Sequence, residues 1–173
     1  MRLSRNITLT NQQEFGFKIP EGFCLCQDTR EQQPLFDSTV VIPGLTVINV
    51  GLTYGDYSVK GFEDRFVVER KSLGDFFQYI GKQHQATTRK MQEFRELASQ
   101  GAFVGLAIEA AEPDLLSGYI MSQVTPEMVR QALVSFEVRY GVHVYYSRSR
   151  QDITRWILDR AIKFYRIQRE VKS

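Results

Sequence analysis

The chain has 173 residues, of which 43% are hydrophobic and 24% charged, with a net charge of +2. That composition is globular and long enough to bury a full core, which suggests one domain, or one domain plus an arm. No apolar run approaches the ~20 residues that span a bilayer, and the first fifteen lack the apolar core of a secretory signal. The expectation is therefore a soluble, intracellular protein with no membrane partner, cytoplasmic or nucleoid-associated.

In chain order, residues 1–20 read as an arm that ends at the turn Pro20-Glu21-Gly22, and 21–173 as the domain. FCLCQ (23–27) is a short apolar run, consistent with a buried strand. It carries both cysteines of the chain, Cys24 and Cys26. They are too close on one extended stretch for an easy disulfide, and no second pair exists to build a zinc site, so buried thiols are expected. TVINVGL (46–52) is a β-branched run and reads as a second strand. After the turn at Tyr54-Gly55-Asp56, a hairpin is expected, with strands near 57–60 and 65–71.

Ser72 opens a helix, because SLGD fits a capping box with Asp75 in place of the usual Glu. Phe76, Phe77 and Ile80 follow on its apolar side. A longer helix fits 83–99, with Met91, Phe94, Leu97 and Ala98 at helical spacing. AFVGLAIEA (102–110) is continuously apolar, as in a central strand covered on both faces. A Pro- and Gly-containing loop is expected over 111–124. Thr125-Pro126 starts a helix that runs to about Tyr140 and stops at Gly141. VHVYY (142–146) is a strand, and Ser149 caps a last helix with the stripe Ile153, Trp156, Ile157, Ala161 and Phe164. Strands first, then alternating helices and strands, predict an α/β fold: a mixed sheet flanked by helices on both faces.

Charge is unevenly placed. Residues 148–172 hold eight Lys/Arg and three acids, a net +5 that leaves −3 elsewhere. A basic segment of this kind points to a polyanion partner, and alternatively is only a solvated helix face.

The chemistry concentrates in GDYSVKGFEDRFVVERKSLGD. Side chains alternate along a strand, so Val67, Glu69 and Lys71 share one face and Val68 and Arg70 the other. Asp56 lies just before the first strand of the same hairpin, which can carry it back beside Glu69. Phosphodiester hydrolysis needs charge neutralisation at the phosphate and an activated water, which hard divalent cations supply. Mg²⁺ takes one or two carboxylates plus waters and phosphate oxygens. Asp56 and Glu69 offer that pair, and Lys71 can orient the attacking water, or accept its proton if its own pKa is depressed. The bare pattern Asp…Glu-x-Lys recurs by chance and is weak alone.

The longer string is more specific. Gly55-Asp56, then VERK (68–71), then Asp75 resemble the GD…ERKxxxD signature of the XPF-type structure-specific endonuclease family. Asp28-Thr29-Arg30-Glu31 resembles that family's D-x-R-E element at the end of its first strand. VTPEMVRQALVSFEVRYGVHVYYSRSRQDITRWI resembles its second half, and the resemblance spans about 22–168. It implies a restriction-endonuclease-like core, dependence on Mg²⁺ or Mn²⁺, cleavage of branched or flapped DNA, work in DNA repair or recombination, and dimerisation through the nuclease domain. By the same resemblance Asp56 and Glu69 are metal ligands and Asp28 a further acid of the site. Lys71 activates water, and Arg30, Arg70 and Asp75 support the site or contact phosphate. Two departures stand out. No segment matches the tandem helix-hairpin-helix domain or the helicase of other members, so the source of DNA affinity is open between the basic last helix and a separate partner, a helicase or a second DNA-binding protein. FFQYIGKQHQ matches the family's Gly-Arg…Gln element only loosely.

Plainer readings compete at each position. Glu69, Arg70 and Lys71 can be a solvated strand end, Asp75 a helix cap, and Asp28–Arg30 a structural ion pair. Arg70 faces away from Glu69, so a structural pairing, for example with Glu31, rivals a phosphate contact. His143 reads as packing and His84 as surface, neither as a metal ligand. Trp156 reads as core or dimer interface. For the whole chain the alternatives are a catalytically silent DNA-binding or scaffold module of the same fold, and a purely structural dimerisation domain.

Overall fold

The computed structural model describes residues 18–37, 40, 42–81, 84–117 and 123–171. Six strands form one mixed sheet: β1 (Cys24–Asp28), β2 (Thr46–Val50), β3 (Tyr57–Val59), β4 (Phe66–Ser72), β5 (Phe103–Glu109) and β6 (His143–Tyr146), in the order β2-β1-β3-β4-β5-β6. Five helices accompany them: α1 (Leu73–Ile80), α2 (His84–Ser99), α3 (Glu112–Leu116), α4 (Pro126–Val138) and α5 (Arg150–Glu170). β3 pairs antiparallel with both β1 and β4, while β4, β5 and β6 run parallel to one another.

Alternation along β4 sorts its side chains between two cores. Phe66 and Val68 pack with Leu25, Tyr57, Trp156, Ile157 and Ala161, under α5. Val67 packs with Leu106, Ile108, Phe77, Met91, Phe94 and Phe136, under α1, α2 and α4. Helices therefore cover both faces, as the pattern of apolar runs predicts. Gly105, at the centre of β5, lets α5 pack close to the sheet, because a Cβ there would meet the Trp156 ring at 2.8 Å. The three expected N-caps form: Ser72, Thr125 and Ser149 each accept the N–H three residues on.

Some expectations change. The loop expected over 111–124 contains the short helix α3, opened by Pro113 and by the Asp114 carboxylate accepting the Ala111 N–H at 2.8 Å. Its five residues are too few to show a helical apolar period. His143 is exposed because β6 is an edge strand, although its ring stacks on Phe103 at 4.8 Å. Cys26 is buried and Cys24 half-buried, both are free thiols, and burial pushes Cys26 up to about 11. Residues 1–17 of the expected arm, Lys82 and Gln83, and the His84 side chain lie outside the described residues. Among the described residues, no helix is long and apolar enough to cross a membrane.

Candidate active site

The site begins with a turn that only glycine can make. Gly55 has φ +66°, and a Cβ there would lie 2.7 Å from the Val68 carbonyl oxygen and 2.9 Å from Val67 Cγ1. Without a side chain, the backbone before β3 presses directly onto β4. Asp56 is then fixed from three sides. Its N–H donates to Val68 O at 2.8 Å, its carbonyl accepts from the Asp28 N–H at 2.8 Å, and its Oδ2 accepts from the Arg70 N–H at 2.7 Å.

Glu69 and Lys71 leave β4 on the face toward α1 and α2, as alternation requires. Glu69 is almost fully buried, with 2% of its side chain exposed. Its Oε1 accepts from Lys71 Nζ at 2.5 Å and from Lys90 Nζ of α2 at 2.6 Å. Its Oε2 is buried without a hydrogen-bond partner. Asp56, Glu69, Lys71 and Lys90 line one cleft of about 350 Å³, with Asp28 and Arg30 also on its wall. The hairpin thus brings the two acids, thirteen positions apart, to one cavity.

Electrostatics separate these groups. Burial, reinforced by the Glu69 charge, pushes Asp56 up to about 7. Burial would raise Glu69 as well, but the Lys71 and Lys90 ammonium groups outweigh it and hold Glu69 below the usual carboxylate value. Burial would lower Lys71, and the Glu69 carboxylate outweighs it, so Lys71 is held above its ordinary value. Without an ion in the cleft, Lys71 is therefore held toward its protonated, donating form, its ammonium 5.3 Å from the Tyr79 ring centroid. Two adjacent acids driven apart in pKa are a mark of functional sites.

Asp28 accepts four hydrogen bonds. Its Oδ1 accepts from Arg30 N–H (2.7 Å) and Nε (2.9 Å), and its Oδ2 from Arg30 Nη2 (2.8 Å) and the Leu52 N–H (2.8 Å). These bonds, led by Arg30, hold Asp28 far below the usual carboxylate range. Among the described residues, no three acidic, histidine or cysteine side chains come together as a metal cluster. Asp28 is thus held in this structure by Arg30 and Leu52, on the wall of the cleft that Asp56 and Glu69 line. This arrangement matches the competing reading, an ion pair with Arg30, which also ties down the loop after β2.

Arg70 faces the opposite side of the sheet. It forms a two-point pair with Glu31 (3.0 and 2.8 Å) and reaches Glu109 at 3.0 Å. Arg150 of α5 meets the same Glu109 oxygen at 2.6 Å and caps the Gln33 and Pro34 carbonyls at 2.9 Å. Asp75 accepts from Ser72 Oγ at 2.6 Å and its N–H donates back to that hydroxyl, so Ser72 caps α1 and the Asp75 carboxylate holds the capping hydroxyl. Lys90, Glu109 and Arg150 carry no sequence signal. Each acts through a partner 21 or more positions away, and neither alternation nor helical period shows such contacts.

A hard divalent cation fits the two remaining acids. The donors are oxygens, one of them an orphaned buried lone-pair donor, and the neighbouring carboxyl is one whose ionised form the cleft disfavours until positive charge arrives.

Comparison with known proteins adds the following. Residues 27–159 match the ERCC4 domain family. No curated protein matches the sequence. Among solved structures, the chain is similar to XPF from Aeropyrum pernix, with a TM-score of 0.57 and 20% identity over 80% of this chain and 59% of that one. It is likewise similar to XPF from Aeropyrum pernix in complex with DNA, with a TM-score of 0.59 and 17% identity over 84% of this chain and 66% of that one. The chain thus spans 59–66% of the lengths of these structures. The shared fold is the restriction-endonuclease-like arrangement expected from the motifs.

Proposed function

We propose, since the chain belongs to the ERCC4 domain family, that it is a Mg²⁺- or Mn²⁺-dependent DNA endonuclease hydrolysing phosphodiester bonds. The observation that carries this reading is the buried, unpartnered Glu69 Oε2 in the same cleft as the proton-retaining Asp56 and the ammonium of Lys71. Asp56 and Glu69 are the residues that would hold the ion. When bound, a divalent ion neutralises charge developing on the phosphate and lowers the pKa of water.

The chain's own groups do the rest. Lys71, fixed at the end of β4, offers its N–H donors to the attacking water or to a non-bridging phosphate oxygen, stabilising charge that develops during displacement. In its protonated form it acts as a donor. Asp28 positions Arg30, whose side chain is 73% exposed at the cleft and suited to a backbone phosphate. Arg70, through Glu31 and Glu109, keeps β4 and the segment after β1 in register, and its N–H orients Asp56. Asp75 keeps the start of α1 in place behind Lys71.

Branched or flapped duplex is the proposed substrate, with dimerisation through this domain and a helicase or further DNA-binding partner adding affinity. The test is incubation of the purified protein with labelled flap, fork and linear duplexes in Mg²⁺ or EDTA, beside Glu69→Gln. Metal-dependent nicking lost in Glu69→Gln supports the reading. DNA binding with no cutting in Mg²⁺ or Mn²⁺ supports the silent module instead.

A further inference from the structure

Lys90 belongs to none of the motifs in the sequence, yet it meets the most buried acid of the site. It projects from α2 and places Nζ 2.6 Å from Glu69 Oε1, an oxygen that Lys71 Nζ already contacts at 2.5 Å. Two ammonium groups therefore share one carboxylate oxygen, while the other oxygen has no partner. Carboxylates have about four acceptor positions, so this crowding is not forced by a lack of sites. It leaves Oε2 buried and without a hydrogen-bond partner, on a residue that lines the cleft.

Charge and exposure together single out one of the two lysines. The charged groups lining the cleft are the acids Asp28, Asp56, Glu69 and Glu93 and the cations Arg30, Lys71 and Lys90. A divalent ion held by Asp56 and Glu69 adds two positive charges to this wall, which favours the entry of an anion. Lys71 is held on a central strand with 20% of its side chain exposed. Lys90 is 35% exposed on the helical wall of the cleft, beside the Phe94 ring at 5.8 Å. Its four-carbon stem can swing the ammonium toward solvent without moving the backbone.

We propose that Lys90 is a phosphate-binding residue that rests on Glu69 while the cleft is empty and transfers to a DNA backbone phosphate when substrate enters. The transfer frees Glu69 Oε1, so DNA and the divalent ion bind cooperatively. This rests on the nuclease reading above. Linkage makes the coupling reciprocal: the ion tightens DNA binding by the same factor.

The test uses the full chain, Ca²⁺ as a hard dication, and a forked duplex, with Ca²⁺ binding measured by calorimetry with and without DNA. In the wild type, DNA tightens Ca²⁺ binding by about fivefold or more, within the usual range of coupling between sites. In Lys90→Met, Ca²⁺ alone binds more tightly than in the wild type, and DNA adds little. The salt dependence of DNA binding, as log K against log salt, also becomes shallower by about 0.9, the loss of one phosphate contact. Lys90→Arg retains both the coupling and the slope. Wild-type coupling and slope in Lys90→Met overturn the proposal while leaving the nuclease reading intact. A wild-type protein that binds no Ca²⁺, with or without DNA, overturns both.

Discussion

Burial and the Glu69 charge push Asp56 up, while the Glu69 carboxylate holds Lys71 above its ordinary value against burial. Asp56 keeps a proton up to about 7 because burial and Glu69 oppose its ionisation. Its folded pKa lies above the unfolded one, so the folded state binds the extra proton and stability falls as pH rises through the window from about 4 to 7. Metal-free protein should lose stability across that window, and Asp56→Asn should flatten the curve in thermal or denaturant unfolding. Ion uptake runs the other way, since the ligand must be deprotonated. Mn²⁺ binding should therefore tighten as pH rises through about 7. For Lys71, removal of a single charge-stabilising donor predicts a fall in cleavage rate of about 100- to 1,000-fold in Lys71→Ala, with DNA binding little changed, read by single-turnover kinetics beside a binding titration. At this scale the sequence shows which face Glu69 and Lys71 occupy, because alternation is strict. It does not show the protonation of Lys71, which follows from a 2.5 Å contact, or Lys90, which arrives from a helix.

The strands and helices were legible to within a residue or two wherever a cap, a glycine or a run of β-branched residues marks a boundary. Ser72, Thr125 and Ser149 all cap as their sequence positions predict. Ser72→Ala should cost about 1 kcal/mol by loss of the N-cap, measured by denaturant unfolding. What holds the elements to one another was less legible, because it runs through Glu31–Arg70–Glu109–Arg150, four residues from four separate parts of the chain. Only the Arg70–Glu31 link was suggested beforehand, by the face Arg70 occupies. The Arg70 and Glu31 side chains are only 6% and 7% exposed. Truncating one partner leaves buried carboxylates without compensation, so Arg70→Met should destabilise the fold by about 3–5 kcal/mol. That corresponds to a melting temperature lower by roughly 10 °C for a chain of this size, measurable by circular dichroism.

Across the whole molecule, the layering of helices on both faces followed from the buried run in β5 and the stripes on the long helices. The strand order did not, since the parallel pairing of β1 with β2 depends on contacts distant in sequence. The basic segment near the C-terminus also takes on a different meaning. Arg166 and Arg169 donate to the Lys18 and Glu21 carbonyls, Arg160 lies 4.2 Å over the Trp156 ring, Arg148 pairs with Asp114, and Arg150 belongs to the interior network. Much of that +5 charge thus secures the fold, whereas Arg30, Lys71 and Lys90 line the cleft in which the proposed chemistry takes place. The account as a whole depends on Asp56 and Glu69 gripping one ion. Anomalous diffraction from crystals soaked in Mn²⁺ measures this directly: the account predicts a peak bridging the Asp56 and Glu69 carboxylates that is lost in Glu69→Gln, and a peak elsewhere, or none between these two side chains, would contradict it.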